Sequence, residues 1–276
     1  MQWKEMFEQM ESERKCDIVP LWEDSAPGFR PELEQNPPRL AVLQPHEGPA
    51  RGMVIVCAGG GFNVKSFNEA KPVAEYFYGR GFNAAVLDYR LKPYDMPVIW
   101  DDAKRAIRVI RANAEKYNTL PDHIAIGGFS AGGALSGMAG VFFDYGDADA
   151  ADPVEHVSSR PDAVLQIYGS FDQTAPHKGL SYDPAEQMET ARRSVGLHLK
   201  EDCPPFFLAQ TASDDPRGVS TMAIRLAEWG IPFESHIFMG GTHGNGLYNG
   251  KDTTEDVPHT AHWAELAAEW LEAYGF

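Results

Sequence analysis

Short apolar runs alternate with amphipathic segments over most of this chain. The predicted strands are 53–62, 83–90, 123–128, 162–169, 205–211 and 233–238. The predicted helices are 66–82, 97–117, a segment that follows Ser130, 220–230 and 259–276. Short apolar strands separated by helices are typical of a parallel sheet that is covered on both faces. The sequence therefore predicts an α/β fold of three layers, with a mostly parallel sheet and helices on both faces.

Two segments fall outside this alternation. Residues 17–50 are rich in Pro and Glu, which predicts either an irregular entry or an antiparallel edge of the sheet. Residues 171–204 lack strong periodicity, and we expect them to form a local excursion above the sheet. Because α/β folds of this length are often a single domain, we expect residues 1–276 to form one domain.

The charge of the chain restricts its partners. The formal net charge is −16, from 24 basic and 40 acidic residues. Nucleic acids and anionic lipids bind clustered Lys and Arg, so the acidity disfavours both as partners. The three cysteines have neither zinc-site nor disulfide spacing, and no run of about 18 apolar residues is present. The N-terminal residues are charged and do not resemble a signal peptide, so we expect a cytoplasmic protein.

A Gly-x-Ser-x-Gly motif, Gly128-Phe129-Ser130-Ala131-Gly132, lies between a predicted strand and a predicted helix. A sharp strand-to-helix turn exposes the central hydroxyl, and flanking glycines let the two backbones pass without Cβ clashes. The turn also directs the N–H of Ala131 towards a developing oxyanion. Gly-rich turns of this kind also bind phosphates, but the strand–turn–helix context favours Ser130 as a nucleophile.

A serine nucleophile needs a base that is itself oriented by a carboxylate. In this architecture the acid and then the histidine follow later strands. His243 is the histidine in a Gly-rich loop directly after the strand that follows the acid loop. The acid is Asp214 or Asp215, both after the strand 205–211. The run Pro-Arg-Gly-Val after Asp215 resembles the usual acid loop and favours Asp215, with Asp214 as a turn-forming neighbour.

A second glycine run, Cys57-Ala-Gly-Gly-Gly-Phe62, ends the first strong strand. Such a loop lets its backbone N–H groups approach a substrate closely, which suits the other half of an oxyanion hole. A phosphate-binding loop is the alternative, but neither a P-loop Lys nor Rossmann spacing follows. We interpret Cys57 as a buried strand residue.

Several motifs follow one another from about Leu21 to the end of the chain: VIVCAGGGF, GRGFNAAVLDYRLKP, IAIGGFSAGG, PPFFLAQTASDDP and HIFMGGTHGNGL. Together they resemble the bacterial acetyl-xylan-esterase-like serine esterases of the α/β-hydrolase fold, which are related to the hormone-sensitive-lipase group. The resemblance implies a catalytic triad of Ser130, Asp215 and His243. It also implies an oxyanion hole built from the N–H groups of Gly60 and Gly61 together with Ala131.

The sequence as a whole predicts a serine carboxylester hydrolase for short-chain, above all acetyl, esters such as acetylated sugars or xylo-oligosaccharides. The alternatives are a peptidase or amidase of the same fold, or a non-catalytic binding protein on this scaffold. The mechanism requires neither a metal nor an organic cofactor. A small ester is the expected partner, and a homo-oligomer is one option for the assembly.

The loop after His243 contains Asn245, Tyr248 and Asn249. These residue types stack on sugars and hydrogen-bond to them. We therefore expect this loop to provide a shallow polar mouth above a small acyl site.

Overall fold

The computed structural model describes residues 3–13, 15–169, 171–172, 188 and 191–276. These residues form one eight-stranded sheet with the order β1-β2-β4-β3-β5-β6-β7-β8. The strands are β1 Cys16–Pro20, β2 Arg39–Leu43, β3 Arg51–Cys57, β4 Asn83–Asp88, β5 Thr119–Phe129, β6 Ala163–Ile167, β7 Phe206–Thr211 and β8 Phe233–Phe238. The helices are α1 Trp3–Ser12, α2 Lys71–Gly79, α3 Met96–Ala112, α4 Ala131–Val141, α5 Arg217–Trp229 and α6 Pro258–Ala273.

Six of the eight strands form a continuous parallel region, from β4 through β3, β5, β6 and β7 to β8. At the other side of the sheet, β2 pairs antiparallel with both β1 and β4. The parallel strands end at the same edge of the sheet, so the loops that follow them lie close together. That edge therefore gathers the loops that begin after Cys57, Phe129, Thr211 and Phe238.

The parallel strands bury side chains on both faces, and β3 shows this directly. Met53, Ile55 and Cys57 belong to a core shared with α3, α4 and α5. Val54 and Val56 belong to a second core shared with α1, α2 and α6. Since successive side chains of a strand point to opposite faces, one apolar run supplies both cores. The predicted three-layer arrangement with helices on both faces is confirmed.

The strand predictions hold to within a few residues, and 233–238 coincides with β8. Of the two alternatives for residues 17–50, the antiparallel edge is correct, because β1 and β2 form it. Helix α1 has no counterpart among the predicted helices. Its buried apolar residues are Met6, Phe7 and Met10, and the charged residues around them hide the helical pattern. Most of the predicted excursion at 171–204 lies outside the described residues. Within the described ranges, no helix is both long and apolar enough to cross a bilayer.

Candidate active site

Ser130 occupies the turn between β5 and α4 in a strained conformation, with φ 51° and ψ −116°. The close approach of β3, β5 and α4 explains the glycines around it. A Cβ on Gly128 would lie 2.2 Å from the carbonyl oxygen of Gly132, and a Cβ on Gly132 would lie 2.1 Å from that of Cys57. Side chains at either position would collide with backbone, so the glycines permit the turn that exposes the Ser130 hydroxyl.

The loops after β5, β7 and β8 bring three polar side chains together in a row. Nε2 of His243 lies 2.7 Å from Oγ of Ser130. Nδ1 of the same ring lies 2.5 Å from Oδ2 of Asp214. Both distances are within hydrogen-bonding range, so the imidazole connects a hydroxyl to a carboxylate. This geometry lets the ring accept the serine proton while the carboxylate fixes the orientation and tautomer of the ring.

The structure does not place Asp215, the predicted acid, beside His243; the carboxylate that lies beside the ring is that of Asp214. Asp215 has a positive φ of 38°, and its carboxylate faces the first residue of α5. There it binds the Arg217 guanidinium through two contacts of 2.6 and 2.7 Å. Because neighbouring side chains point in different directions in this turn, only Asp214 reaches His243.

The hydrogen bond with Asp214 raises the pKa of His243 above its ordinary value, against the opposing effect of burial. The negative charges of Asp214 and Glu69 act in the same direction as the hydrogen bond. A raised pKa makes the imidazole a better proton acceptor in its neutral form. It also means that the ring becomes protonated at a higher pH, and a protonated ring cannot accept the Ser130 proton.

The glycine loop after β3 packs directly against Ser130. A Cβ on Gly59 would lie 2.9 Å from Cβ of Ser130. The N–H groups of Gly60, Gly61 and Ala131 donate to no protein acceptor in the part of the chain that the structure describes. Ala131 is the first residue of α4, where backbone N–H groups have no partner within the helix. The structure thus provides backbone donors on both sides of the serine.

A buried hydrogen-bonded network behind the histidine was not predicted from the sequence. The Glu69 carboxylate, 1% exposed, accepts the N–H of Gly59 at 2.8 Å and the Tyr168 hydroxyl at 2.7 Å. The Tyr168 hydroxyl in turn accepts the N–H of Gly246 at 2.7 Å, and its ring centroid lies 4.9 Å from that of His243. Burial raises the pKa of Glu69, and the hydrogen bonds from Tyr168 and Gly59 oppose that rise. The network joins the glycine loop to the histidine loop.

No sequence motif marks Glu69 or Tyr168. The available signal is that Tyr168 directly follows β6, at the edge of the sheet where the other functional loops begin. Cys57 is buried as predicted, and burial raises the pKa of its thiol to about 12. A thiol with such a pKa is not a nucleophile at neutral pH.

The prediction of a polar mouth built from the loop after His243 is wrong. Tyr248 is 1% exposed, and its hydroxyl donates to the Thr242 carbonyl at 2.8 Å. Asn245 is also buried and hydrogen-bonds within the same loop. Asn249 is exposed, but its side chain accepts backbone N–H groups of the turn that follows. Tyr248 and Asn245 therefore stabilise the loop from within, and Asn249 stabilises the turn that follows.

A cavity of about 210 Å³ lies beside Ser130 instead. The larger side chains that line it are aromatic, sulfur-containing or basic: Phe62, Met96, Trp100, Met138, Lys92 and Arg193. Trp100 is held by stacking on Phe142, with ring centroids 5.0 Å apart. The cavity therefore presents an apolar wall with two cationic groups, on an otherwise acidic protein.

The chain is similar to several known proteins. The profile of the BD-FAE family matches residues 41–219. The chain is 30% identical over 239 residues to an endo-1,4-beta-xylanase B of Butyrivibrio fibrisolvens, with 81% of this chain and 37% of that protein covered. It is 29% identical over 135 residues to an acetylxylan esterase of Xylanibacter ruminicola, with 48% of this chain and 26% of that protein covered.

A crystal structure of an acetyl ester-xyloside bifunctional hydrolase from Caldicellulosiruptor lactoaceticus superimposes with a TM-score of 0.84 at 34% identity, covering 95% of this chain and 97% of that one. The chain spans less than half the length of each of the two curated relatives named above. The comparisons confirm the predicted α/β-hydrolase fold and the predicted resemblance to acetyl-xylan-esterase-like proteins.

Proposed function

The chain belongs to the BD-FAE family, and from this premise we propose that it is a serine carboxylester hydrolase that removes short acyl groups, above all acetyl, from hydroxylated alcohols such as sugars. The observation that carries the proposal is the line from Ser130 Oγ through His243 to Asp214, with contacts of 2.7 and 2.5 Å. The names of relatives that act on acetyl esters and xylosides support the substrate class.

In the proposed reaction, Ser130 attacks the ester carbonyl while Nε2 of His243 takes its proton. The protonated imidazole then gives that proton to the leaving alcohol, and Asp214 stabilises its positive charge throughout. Water repeats the attack on the acyl-enzyme with the same base. The raised pKa of His243 suits both steps, since the ring must accept and then release a proton near neutral pH.

We assign the oxyanion to the N–H groups of Gly60, Gly61 and Ala131. Their lack of protein acceptors in the described part of the chain and the contact between the glycine loop and Ser130 support this role. Each such donor contributes about 10²–10³ in rate in enzymes of this type. None of these proposed steps requires a metal or an organic cofactor.

The cavity beside Ser130 supports a small substrate. Its volume is about 210 Å³. We propose that this space holds the acyl group and the part of the alcohol closest to the ester, with Trp100 as the apolar surface against which that part packs.

Two broader predictions remain part of the proposal. The single continuous sheet supports one hydrolase domain across residues 1–276. The three buried, unpaired thiols, Cys16, Cys57 and Cys203, support a reducing compartment such as the cytoplasm.

The proposal is tested by incubating the protein with acetylated xylo-oligosaccharides and measuring released acetate. We expect acetate release from the wild type, and labelling of its serine by a fluorophosphonate probe. Neither is expected from Ser130→Ala. A p-nitroanilide substrate provides the comparison with an amidase. Hydrolysis of the anilide at a rate similar to that of the ester, or labelling that persists in Ser130→Ala, would contradict the proposal.

A further inference from the structure

Glu69 is a buried acidic residue to which the proposed mechanism assigns no role. Its side chain is 1% exposed, and within the described ranges its oxygens bond to Gly59 and Tyr168 and to no Lys or Arg. Burial of a carboxylate without a cation is costly, because water no longer solvates the charge. A buried titratable group next to a reactive serine is therefore a candidate for a role in the reaction.

Glu69 lies between the two loops that the reaction needs. A Cβ on Gly59 would lie 2.6 Å from Oε2 of Glu69 and 2.9 Å from Cβ of Ser130, so the carboxylate and the nucleophile contact the same glycine. Asn68, the preceding residue, donates from Nδ2 to the Gly244 carbonyl at 3.0 Å. Asn68 and Glu69 together therefore contact both the glycine loop and the loop that carries the histidine.

The hydrogen bonds around Glu69 indicate its protonation state. The Tyr168 oxygen accepts the N–H of Gly246 at 2.7 Å, and the one phenolic proton points to Oε1 of Glu69, also 2.7 Å away. Oε2 accepts the N–H of Gly59 at 2.8 Å. A proton on Oε1 would leave the phenolic proton without an acceptor among the described residues. Both oxygens of Glu69 thus act as acceptors, as they do in an ionised carboxylate.

The titratable groups that surround this carboxylate are Tyr89 after β4, Tyr168 after β6, and His243 and Tyr248 after β8. Burial raises the pKa of each of the three phenols, so they stay neutral. Of these groups, only His243 takes up a proton in the proposed reaction. The negative charge of Glu69 favours that proton, in addition to the effect of Asp214 on the same ring.

We propose that Glu69 is a positioning residue for the proposed ester hydrolysis, on which this inference rests: it fixes the glycine loop relative to His243 and stabilises the imidazolium that forms in the transition state. Its bond from Gly59 holds the loop whose next two residues provide the proposed oxyanion donors. Its bond from Tyr168 extends through that hydroxyl to Gly246 in the histidine loop. One carboxylate therefore sets the spacing between the oxyanion site and the base.

This role affects the transition state more than the bound substrate. Before the reaction, His243 is neutral and the ester oxygen carries little charge. Both the imidazolium and the oxyanion develop their charges as Ser130 attacks. Interactions that are gained only at that stage change kcat and leave KM nearly unaltered.

The first test is the kinetics of Glu69→Gln. The amide preserves the size of the side chain, removes its charge and cannot accept from both Gly59 and Tyr168, because one of its polar atoms is an NH₂ donor. We expect kcat for p-nitrophenyl acetate to fall about tenfold or more, with KM within about twofold of the wild-type value. A wild-type kcat in Glu69→Gln overturns the proposal.

Asn83→Ala is the matched control for a general loss of stability. Asn83 is buried at the start of β4, at the edge of the sheet opposite the site, and its side chain donates to Tyr117, Asn118 and Thr119. Its loss is expected to lower the free energy of unfolding while the folded variant keeps the wild-type kcat. Equal falls of kcat in Asn83→Ala and Glu69→Gln would show a structural effect alone and overturn the proposal.

A double-variant cycle tests whether Glu69 and Tyr168 act as one unit. Tyr168→Phe removes the hydroxyl that connects Glu69 to Gly246. Because each single change breaks the same connection, we expect the combined variant Glu69→Gln/Tyr168→Phe to lose less kcat than the product of the two single losses. A loss equal to that product contradicts a shared positioning network.

The last test does not depend on the substrate. The pKa of His243 is followed by nuclear magnetic resonance, with its signal assigned by its absence from His243→Gln. We expect Glu69→Gln to lower that pKa, because a nearby negative charge is lost, and Asn83→Ala to leave it unchanged. An unchanged pKa of His243 in Glu69→Gln overturns the present proposal even in an active esterase. A wild type that hydrolyses no ester overturns the proposed function instead.

Discussion

Replacing Asp214 by Asn removes the charge that lies 2.5 Å from His243 while preserving the size of the side chain. An amide can donate to Nδ1, which favours the tautomer with its proton on Nε2. That tautomer cannot accept the Ser130 proton, although the contact between the two side chains is retained. The substitution therefore affects the reaction far more than the fold.

The expected loss of kcat in Asp214→Asn depends on how exposed the side chains of Asp214 and His243 are. In serine hydrolases with a buried carboxylate, loss of the acid lowers kcat by about 10⁴. Here the side chains of Asp214 and His243 are 30% and 45% exposed, so water can replace part of the lost interaction. We expect kcat for p-nitrophenyl acetate to fall by about 10³, which corresponds to roughly 4 kcal/mol of transition-state stabilisation.

The same substitution changes the pH profile in a direction that can be worked out. Activity requires neutral His243 and is lost as the pH falls through its pKa, which Asp214 raises above 6.5. Without that carboxylate the pKa decreases, so the acidic limb of kcat/KM moves to lower pH in Asp214→Asn. A lower kcat combined with this shift is specific to a carboxylate that acts through the imidazole.

Asp215→Asn is the matched control, because it makes the same change one residue away. Asp215 binds exposed Arg217 and does not contact His243, so we expect kcat and the pH limb to stay close to those of the wild type. A loss of activity in Asp215→Asn equal to that in Asp214→Asn, or an Asp214→Asn variant with a tenth of wild-type kcat, would refute the assignment.

The remaining predictions concern the nucleophile, the buried network, stability and substrate size. Ser130→Ala is expected to fold normally and lose at least about 10³ in kcat/KM; circular dichroism and ester assays check this. Glu69→Ala leaves the buried N–H of Gly59 and hydroxyl of Tyr168 without their acceptor. At about 1–3 kcal/mol for each, urea unfolding should show a loss of roughly 3 kcal/mol. The raised pKa of His243 contributes stability that is complete below pH 6.5 and is lost as the pH rises through the folded-state value. The difference in unfolding free energy between the wild type and His243→Gln should therefore shrink towards alkaline pH, and a difference that grows would contradict it. Along a p-nitrophenyl ester series, kcat/KM should be highest at acetate or propionate and fall beyond butyrate, because extra methylenes outside the cavity do not gain the roughly 0.8 kcal/mol of burial. A maximum at octanoate would exclude the acetyl-ester proposal and leave the proposed roles of Ser130, His243 and Asp214 unaffected.

The sequence predicted the parallel sheet and the positions of Ser130 and His243, because strand periodicity and glycine-rich turns are local signals. The choice between Asp214 and Asp215 is not local. Both follow β7, and the backbone conformation of the turn, with φ 38° at Asp215, decides which carboxylate faces the histidine. Tyr248 illustrates the same limit, since an aromatic residue in a polar loop was expected to face a ligand and is buried instead.

Glu69 shows a second limit of prediction from one sequence. A glutamate in a loop is ordinarily solvated, and its burial depends on Tyr168, 99 residues further along the chain. Neither residue type nor spacing reveals such a pair, because the contact exists only after β3 and β6 have taken their places on either side of β5.

The distance along the chain between the site's components has a consequence for how the protein becomes active. Ser130 and His243 are separated by 113 positions, and the Glu69 network joins Gly59 to Gly246 near the opposite end. Contacts of such long sequence separation form late in folding, since a large loop must close before they are gained. During synthesis, β3 to β6 are complete well before the histidine loop has been made. We therefore expect recovery of esterase activity on refolding to lag behind recovery of the far-ultraviolet circular dichroism signal, so that activity reports the last stage of assembly.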